Sequence, residues 1–290
     1  MMRITPPLLV LVASLLPAPA ALALNEYGIE GMGVVSTRAD EGRATISADG
    51  QRIIFARRGD AGWGLWQARV VDGRWQHAQS LAVGVAGEVR DPYFSRDGRW
   101  LLFAAGREGR LALYRAPLAA DGRVGDAQPL AGDGGRQEER GPALSVDGKR
   151  LLFARQQGRG AGWDLFVATL DAQGMRGPAT ALSALNSADD ETDGDWLGDD
   201  GAVVFSRGNG ATAQVWSSGC GWSGAALQPL GLSFNQAGGW TGAPVIDNAR
   251  PGEMMVASSA AKAPRAGGVD VYRLAVPKVV AVPGCVRGAR

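Results

Sequence analysis

The sequence predicts an all-β chain: a single β-propeller of four-stranded antiparallel blades, five in number, with six as the fallback. Three observations carry that prediction. A short text recurs, as Asp91-Pro92-Tyr93-Phe94-Ser95-Arg96-Asp97-Gly98-Arg99-Trp100-Leu101-Leu102-Phe103, again from Gly141 to Phe153, and in an earlier copy from Ala44 to Phe55. Its turn glycines Gly50, Gly98, Gly148 and Gly201 lie 48, 50 and 53 residues apart, and Pro142 to Pro244 spans 102, two further steps of 51. Repeats of about this length fold as one small sheet each and bury their faces only by stacking on neighbours. Finally, 43 Gly and 9 Trp against a single His suit a chain of tight turns and aromatic packing.

In chain order, residues 1–23 read as a transport signal. Met1-Met2-Arg3 is a short basic start, Leu8 to Leu16 an apolar core, and Ala21-Leu22-Ala23 a small-x-small cleavage site. The apolar run is too short and too rich in Pro for a stable membrane insertion. A soluble, exported, periplasmic chain beginning near Leu24 is therefore expected. Residues 24–276 then form the propeller and 277–290 a C-terminal tail. The 267 residues from Leu24 onward give about 53 per repeat for five repeats.

Each repeat holds four strand signals. The first is short and ends at the Ser of Ser-x-Asp-Gly, whose Asp-Gly pair supplies the positive φ of a tight antiparallel turn. The second is apolar on both faces, as in Ile53-Ile54-Phe55, Leu101-Leu102-Phe103, Leu151-Leu152-Phe153, Val203-Val204-Phe205 and Met254-Met255-Val256. Such a run belongs in the middle of a stacked sheet. The third centres on Leu65-Trp66, Leu113-Tyr114, Leu165-Phe166, Val215-Trp216 and Val271-Tyr272, and the fourth ends at Leu81, Leu130, Leu182 or Leu230. The fifth repeat lacks a clear fourth strand. Gly33-Val34-Val35-Ser36 is expected to supply it and close the ring, with Lys278-Val279-Val280-Ala281 as the rival. Cys220 and Cys285, the only cysteines, are expected to pair in an oxidising compartment and pin the tail, contributing roughly 2–4 kcal/mol.

These residues resemble a known family. Pro-x-x-Ser-x-Asp-Gly-x-x-Leu-x-Phe is similar to the WD40-like β-propeller repeats of TolB and its relatives among exported bacterial envelope proteins. Gly160-Ala161-Gly162-Trp163-Asp164-Leu165-Phe166-Val167-Ala168 and Leu185-Asn186-Ser187-Ala188-Asp189-Asp190-Glu191 resemble the envelope branch of those repeats. The resemblance covers the expected mature chain and implies a fold more than an activity, since such repeats serve binding scaffolds and peptidases alike. Asp195-Trp196 departs from the pattern in repeat four, and repeat five loses its Asp-Gly.

Lys plus Arg number 30 and Asp plus Glu 29, for a net charge of +1, which is not the field of a nucleic-acid binder. Charge recurs instead on the face opposite the Asp-Gly turns. Candidate binding residues there are Glu41, Arg43, Glu88, Arg90, Asp91, Glu139, Arg140, Glu191 and Asp193, with Trp240 in the matching place of the fifth repeat. Arg57, Arg58, Arg107, Arg155 and Arg207 come from the neighbouring loops. These side chains either bind a polar partner at the channel mouth or pair between neighbouring blades. Trp63, Trp163 and Trp222 are further aromatic candidates.

Other chemistries fit less well. Asp189 to Asp195, with Asp200 at the twelfth position, resembles a calcium loop but lacks the closing Glu and the flanking helices. A Ser-His-Asp triad would need His77, which falls on an outer strand. Paired carboxylates for glycoside cleavage could come from Glu88, Asp91, Glu139 or Asp193. The expected function is a non-enzymatic periplasmic scaffold, a monomer without catalytic residues, metal or cofactor, binding an envelope protein or peptide through the charged face. The alternative is a carbohydrate-binding or glycoside-cleaving propeller.

Overall fold

The computed structural model describes residues 24–278, apart from 108–109, 131, 133–136, 159–160, 172, 199–200, 223–225, 236–237 and 261–263. The expected transport signal, residues 1–23, and Cys285 lie outside the described residues. Strand β1 (Glu26–Ile29) comes first. Blade 1 is β2 (Glu41–Ile46), β3 (Arg52–Gly59), β4 (Gly62–Val71) and β5 (Arg74–Ser80). Blade 2 is β6 (Glu88–Phe94), β7 (Trp100–Arg107), β8 (Arg110–Pro117) and β9 (Gln128–Pro129). Blade 3 is β10 (Glu139–Leu144), β11 (Arg150–Gln156), β12 (Trp163–Thr169) and β13 (Thr180–Ala181). Blade 4 is β14 (Glu191–Leu197), β15 (Ala202–Arg207), β16 (Gln214–Ser217) and β17 (Gln228–Pro229). Blade 5 adds β18 (Thr241–Ile246), β19 (Glu253–Ser258) and β20 (Asp270–Ala275), with β1 as its outer strand. The chain is thus a five-bladed β-propeller of four-stranded antiparallel sheets.

Each second strand is apolar on both faces because both faces are covered. Ile53, Ile54, Phe55, Phe103, Phe153 and Phe205 are fully buried, and the apolar clusters fill the wedges between neighbouring blades. Burying such a side chain stabilises the fold by about 1.5–3 kcal/mol. The turns after the first strands are built alike. In blade 2, Ser95 Oγ donates to Asp97 Oδ1 at 2.6 Å and accepts from Trp100 N at 2.9 Å, while Arg99 N donates to Asp97 Oδ1 at 3.0 Å. Ser145 and Asp147 repeat this in blade 3, and Ser47 and Asp49 in blade 1.

Polar side chains near the axis stitch the blades together. Thr45 Oγ1 accepts from Phe94 N at 3.1 Å, Tyr93 Oη donates to Leu144 O at 3.1 Å, and Asp195 Oδ2 accepts from Ile246 N at 2.7 Å. Asn248 Nδ2 donates to Ile46 O and Phe94 O at 3.1 and 3.2 Å, tying blade 5 to blades 1 and 2 on the turn face.

The N-terminal segment closes the ring, but with other residues than Gly33-Val34-Val35-Ser36. Strand β1 pairs with β20, whereas Gly31 and Gly33, at φ +53° and +83°, turn the chain after it. That turn drops Val35 into the wedge between blades 5 and 1. Glu30 then meets Arg273 at 2.6 Å, and Arg273 also holds Asp247 and Glu253. This cluster occupies the place where repeat five lost its Asp-Gly. The rival strand at 278–281 lies, Lys278 apart, outside the described residues. Cys220 is buried and disulfide-bonded. Among the described residues no helix is long and apolar enough to cross a membrane.

Candidate functional site

The innermost strands β2, β6, β10, β14 and β18 line the axis, and each carries a bulge at nearly the same place. Bulges turn side chains away from the regular pleat and gather at binding sites. Cross-strand register aligns three successive positions. The first holds Glu41, Val89, Glu139, Glu191 and Thr241, opposite Arg57, Ala105, Arg155, Arg207 and Ser258. The second holds Gly42, Arg90, Arg140, Thr192 and Gly242, and the third Arg43, Asp91, Gly141, Asp193 and Ala243. At the third position Asp91, Asp193 and Ala243 sit at φ +55°, +52° and +52°. That conformation costs a non-glycine residue on the order of 1 kcal/mol.

The first position is structural, which corrects the expected role of three candidate residues. Glu41, Glu139 and Glu191 are buried and turned to arginines of their own blade, at 2.8 Å in each case, rather than to the channel or to a neighbouring blade. Glu41 also accepts from Thr37 N at 2.9 Å, Glu191 from Ser187 N at 2.9 Å, and Glu139 from Arg176 Nη1 at 2.8 Å. Each carboxylate therefore fastens a loop to its blade. Burial pushes the Glu41 and Glu191 carboxyls up against the pull of these partners. Blade 5 makes the same latch with neutral groups, Thr241 Oγ1 to Ser258 Oγ at 2.9 Å. Glu88 pairs across the ladder with Gly106 and lies against Gly62, the tip of the neighbouring hairpin.

The second and third positions of blades 2 to 4 form a belt of ion pairs between blades. Arg140 Nη2 donates to both Asp193 oxygens at 3.1 and 3.2 Å, and its Nε lies 3.5 Å from Asp91. Gly141 N donates to Asp91 at 3.2 Å. The guanidinium of Arg90 lies over Trp63 and that of Arg140 over Trp163, at 5.2 and 5.5 Å. Burial alone would raise the Asp91 carboxyl, but Arg140, Arg90 and Arg43 together hold it below the usual range. Deeper on the axis, burial pushes the Asp195 carboxyl up despite Arg43 and Arg96. Asp189 and Asp190 lie in the bend before β14, whereas Glu191, Asp193 and Asp195 lie on that strand and face different partners, and His77 is exposed on an outer strand.

Blades 5 and 1 are built differently. Glycine replaces arginine at the second position, and an indole lies in the space. A Cβ on Gly42 would come within 3.3 Å of Trp63, and one on Gly242 within 2.8 Å of Trp240. Between these rings and the ion-pair belt is a pocket of about 270 Å³, with Arg58 and Asp40 at its rim. Its floor is Arg43. This side chain is 1% exposed and crosses the axis to donate Nη2 to Gly194 O at 3.0 Å, while its Nε and Nη1 have no hydrogen-bond partner among the described residues. Of the residues expected from sequence, Arg43, Arg58, Trp63, Arg90, Asp91, Arg140, Asp193 and Trp240 meet here. Gly42, Gly242 and Asp40 were missed. The signal available was the exchange of Arg for Gly at one repeat position beside a Trp.

No family model and no curated protein matches the chain. Solved structures do. An endo-arabinase from Bacteroides thetaiotaomicron superposes with a TM-score of 0.56 at 12% identity, covering 87% of this chain and 98% of that one. A TolB from Agrobacterium tumefaciens gives 0.53 at 16% identity, covering 82% and 83%. The chain spans 42% of the length of TolB from Acinetobacter baumannii, at a TM-score of 0.45 and 15% identity. The first two likenesses show the propeller fold, shared by TolB-like and other propellers.

Proposed function

We propose that the chain is a non-enzymatic, exported scaffold that binds a protein or peptide partner by taking one of its residues into the channel mouth. The observation that carries this is the pocket between Trp63 and Trp240 over the unpartnered nitrogens of Arg43. It has room for a single side chain or chain end, with aromatic walls that suit an apolar group and polar atoms that fix its orientation. Glycoside cleavage needs a protonated acid and a charged carboxylate at one bond. Asp91 and Asp193 in the pocket are held by arginines, and Asp195, whose carboxyl is raised, does not line it. Both facts favour binding over turnover. The test is a peptide array and a glycan panel probed with the full chain and with Trp63→Ala and Trp240→Ala. Peptide binding that both variants lose, with no glycan product, supports the proposal; turnover of a glycan overturns it.

A further inference from the structure

The free valence of the mouth pocket is cationic. Four arginines line it, Arg43, Arg58, Arg90 and Arg140, against the three aspartates Asp40, Asp91 and Asp193. The acids are already engaged: Asp193 by Arg140, Asp91 by Arg140, Arg90 and Gly141 N, and Asp40 by Val269 N. Arg43 has no carboxylate within ion-pair distance among the described residues, and two of its three nitrogens lack any acceptor although the side chain is 1% exposed. Arg58 at the rim is exposed, again without an ion-pair partner there. A buried cation with unmet donors is costly to keep, and an incoming acceptor recovers most of that cost.

Resting on the binding role proposed above, we infer that the group inserted into the pocket is a carboxylate of a peptide, received by Arg43 and Arg58 with its apolar neighbour between Trp63 and Trp240. Charge decides the class. One positive charge in surplus matches a monoanion, whereas a phosphate ester approaches two negative charges at neutral pH and would be set beside Asp91 and Asp193. The planar carboxylate also matches guanidinium geometry. It can come from a chain terminus or from an Asp or Glu side chain.

Three pools of N-acetylated random hexapeptides separate these sources when passed over the immobilised full chain. One has free C-terminal carboxylates and no Asp or Glu, the second is C-terminally amidated but contains Asp and Glu, and the third is amidated and lacks both. Retention of the first identifies a chain terminus and of the second an acidic side chain. For resynthesised binders, neutralising that carboxylate is expected to weaken binding about tenfold or more. Arg43→Gln should lose the same factor, and Arg58→Gln, at an exposed position, serves if losing the Arg43 bond to Gly194 O impairs folding. Equal retention of the third pool overturns the carboxylate while leaving peptide binding in place. Retention of none overturns the binding role and this inference with it.

Discussion

Two sets of charges lie one and two residues apart on the same innermost strands, and they do different work. The latches Glu41–Arg57, Glu139–Arg155 and Glu191–Arg207 repeat in register, with their oxygens directed at arginines of the same blade and at the loops they fasten. The mouth repeats in position only: Arg43, Asp91, Gly141, Asp193 and Ala243 share one register place and differ in size and sign. The latch tolerates neutral replacement, as Thr241 and Ser258 show, because any paired polar group satisfies it. At the mouth the inequality is the content. Arginine stacked on Trp63 or Trp163 in blades 2 and 3, against glycine under an indole in blades 1 and 5, gives the pocket one charged wall and one aromatic wall. In this ring the regular charge is construction, and the departure from the repeat is where the proposed partner would be told apart.

The largest expected effect breaks a latch. Glu139→Ala leaves Arg155 and Arg176 without the carboxylate between them and should cost about 3–5 kcal/mol of stability by denaturant unfolding, without changing which peptides bind. Arg273→Ala, which strands Glu30, Asp247 and Glu253 at the ring closure, should cost about 3 kcal/mol. Native exchange of β1 amides should rise first. At the mouth, Trp63→Ala or Trp240→Ala should cost about 2 kcal/mol or more of binding, the scale of an aromatic anchor, with a smaller loss of stability. The smallest effect tests the bulge: Ala243→Gly relieves a positive φ and should stabilise the fold by about 1 kcal/mol.

Titration separates the regions by sign. In the turns, Asp49 and Asp147 are held below the usual 3.8, first by hydrogen bonds from Ser47 and Ser145. For Asp97 burial opposes, and Ser95 and Arg99 outweigh it. A depressed carboxyl contributes stability above its unfolded value, and that contribution is lost as pH falls through the folded value. Glu41, Glu191 and Asp195, raised by burial, act in the other direction and weaken the fold as pH rises through their folded values. Carboxyl carbon shifts followed by NMR should place the first group below 3.8 and the second above the ordinary values near 4.5 for Glu and 3.8 for Asp. The opposite order would remove the assigned causes.

Much of the fold was legible because burial on both faces and Asp-Gly turns leave local marks: Leu101-Leu102-Phe103 and Ser95-Arg96-Asp97-Gly98 each announce their own place. Ring closure was legible only as a requirement. Which residues met it depended on Gly31 and Gly33 turning the chain and on Arg273 reaching Glu30, contacts between opposite ends of the sequence. At the site, Glu41 and Arg43 looked equivalent in a line of text, yet a bulge between Glu41 and Ala44 separates their directions. Repeat spacing cannot show that, since a one-residue slip sends a side chain to the other face.

The nine tryptophans supply the most direct test. Indole N–H resonances of the full chain are recorded before and after a retained free-acid or acidic peptide is added. Trp63 and Trp240 should shift together, while Trp75, bonded to Glu30, and Trp196, bonded to Ala143 O, stay in place. Shifts centred on Trp75 or Trp222, with Trp63 and Trp240 unmoved, would contradict a binding site at the channel mouth.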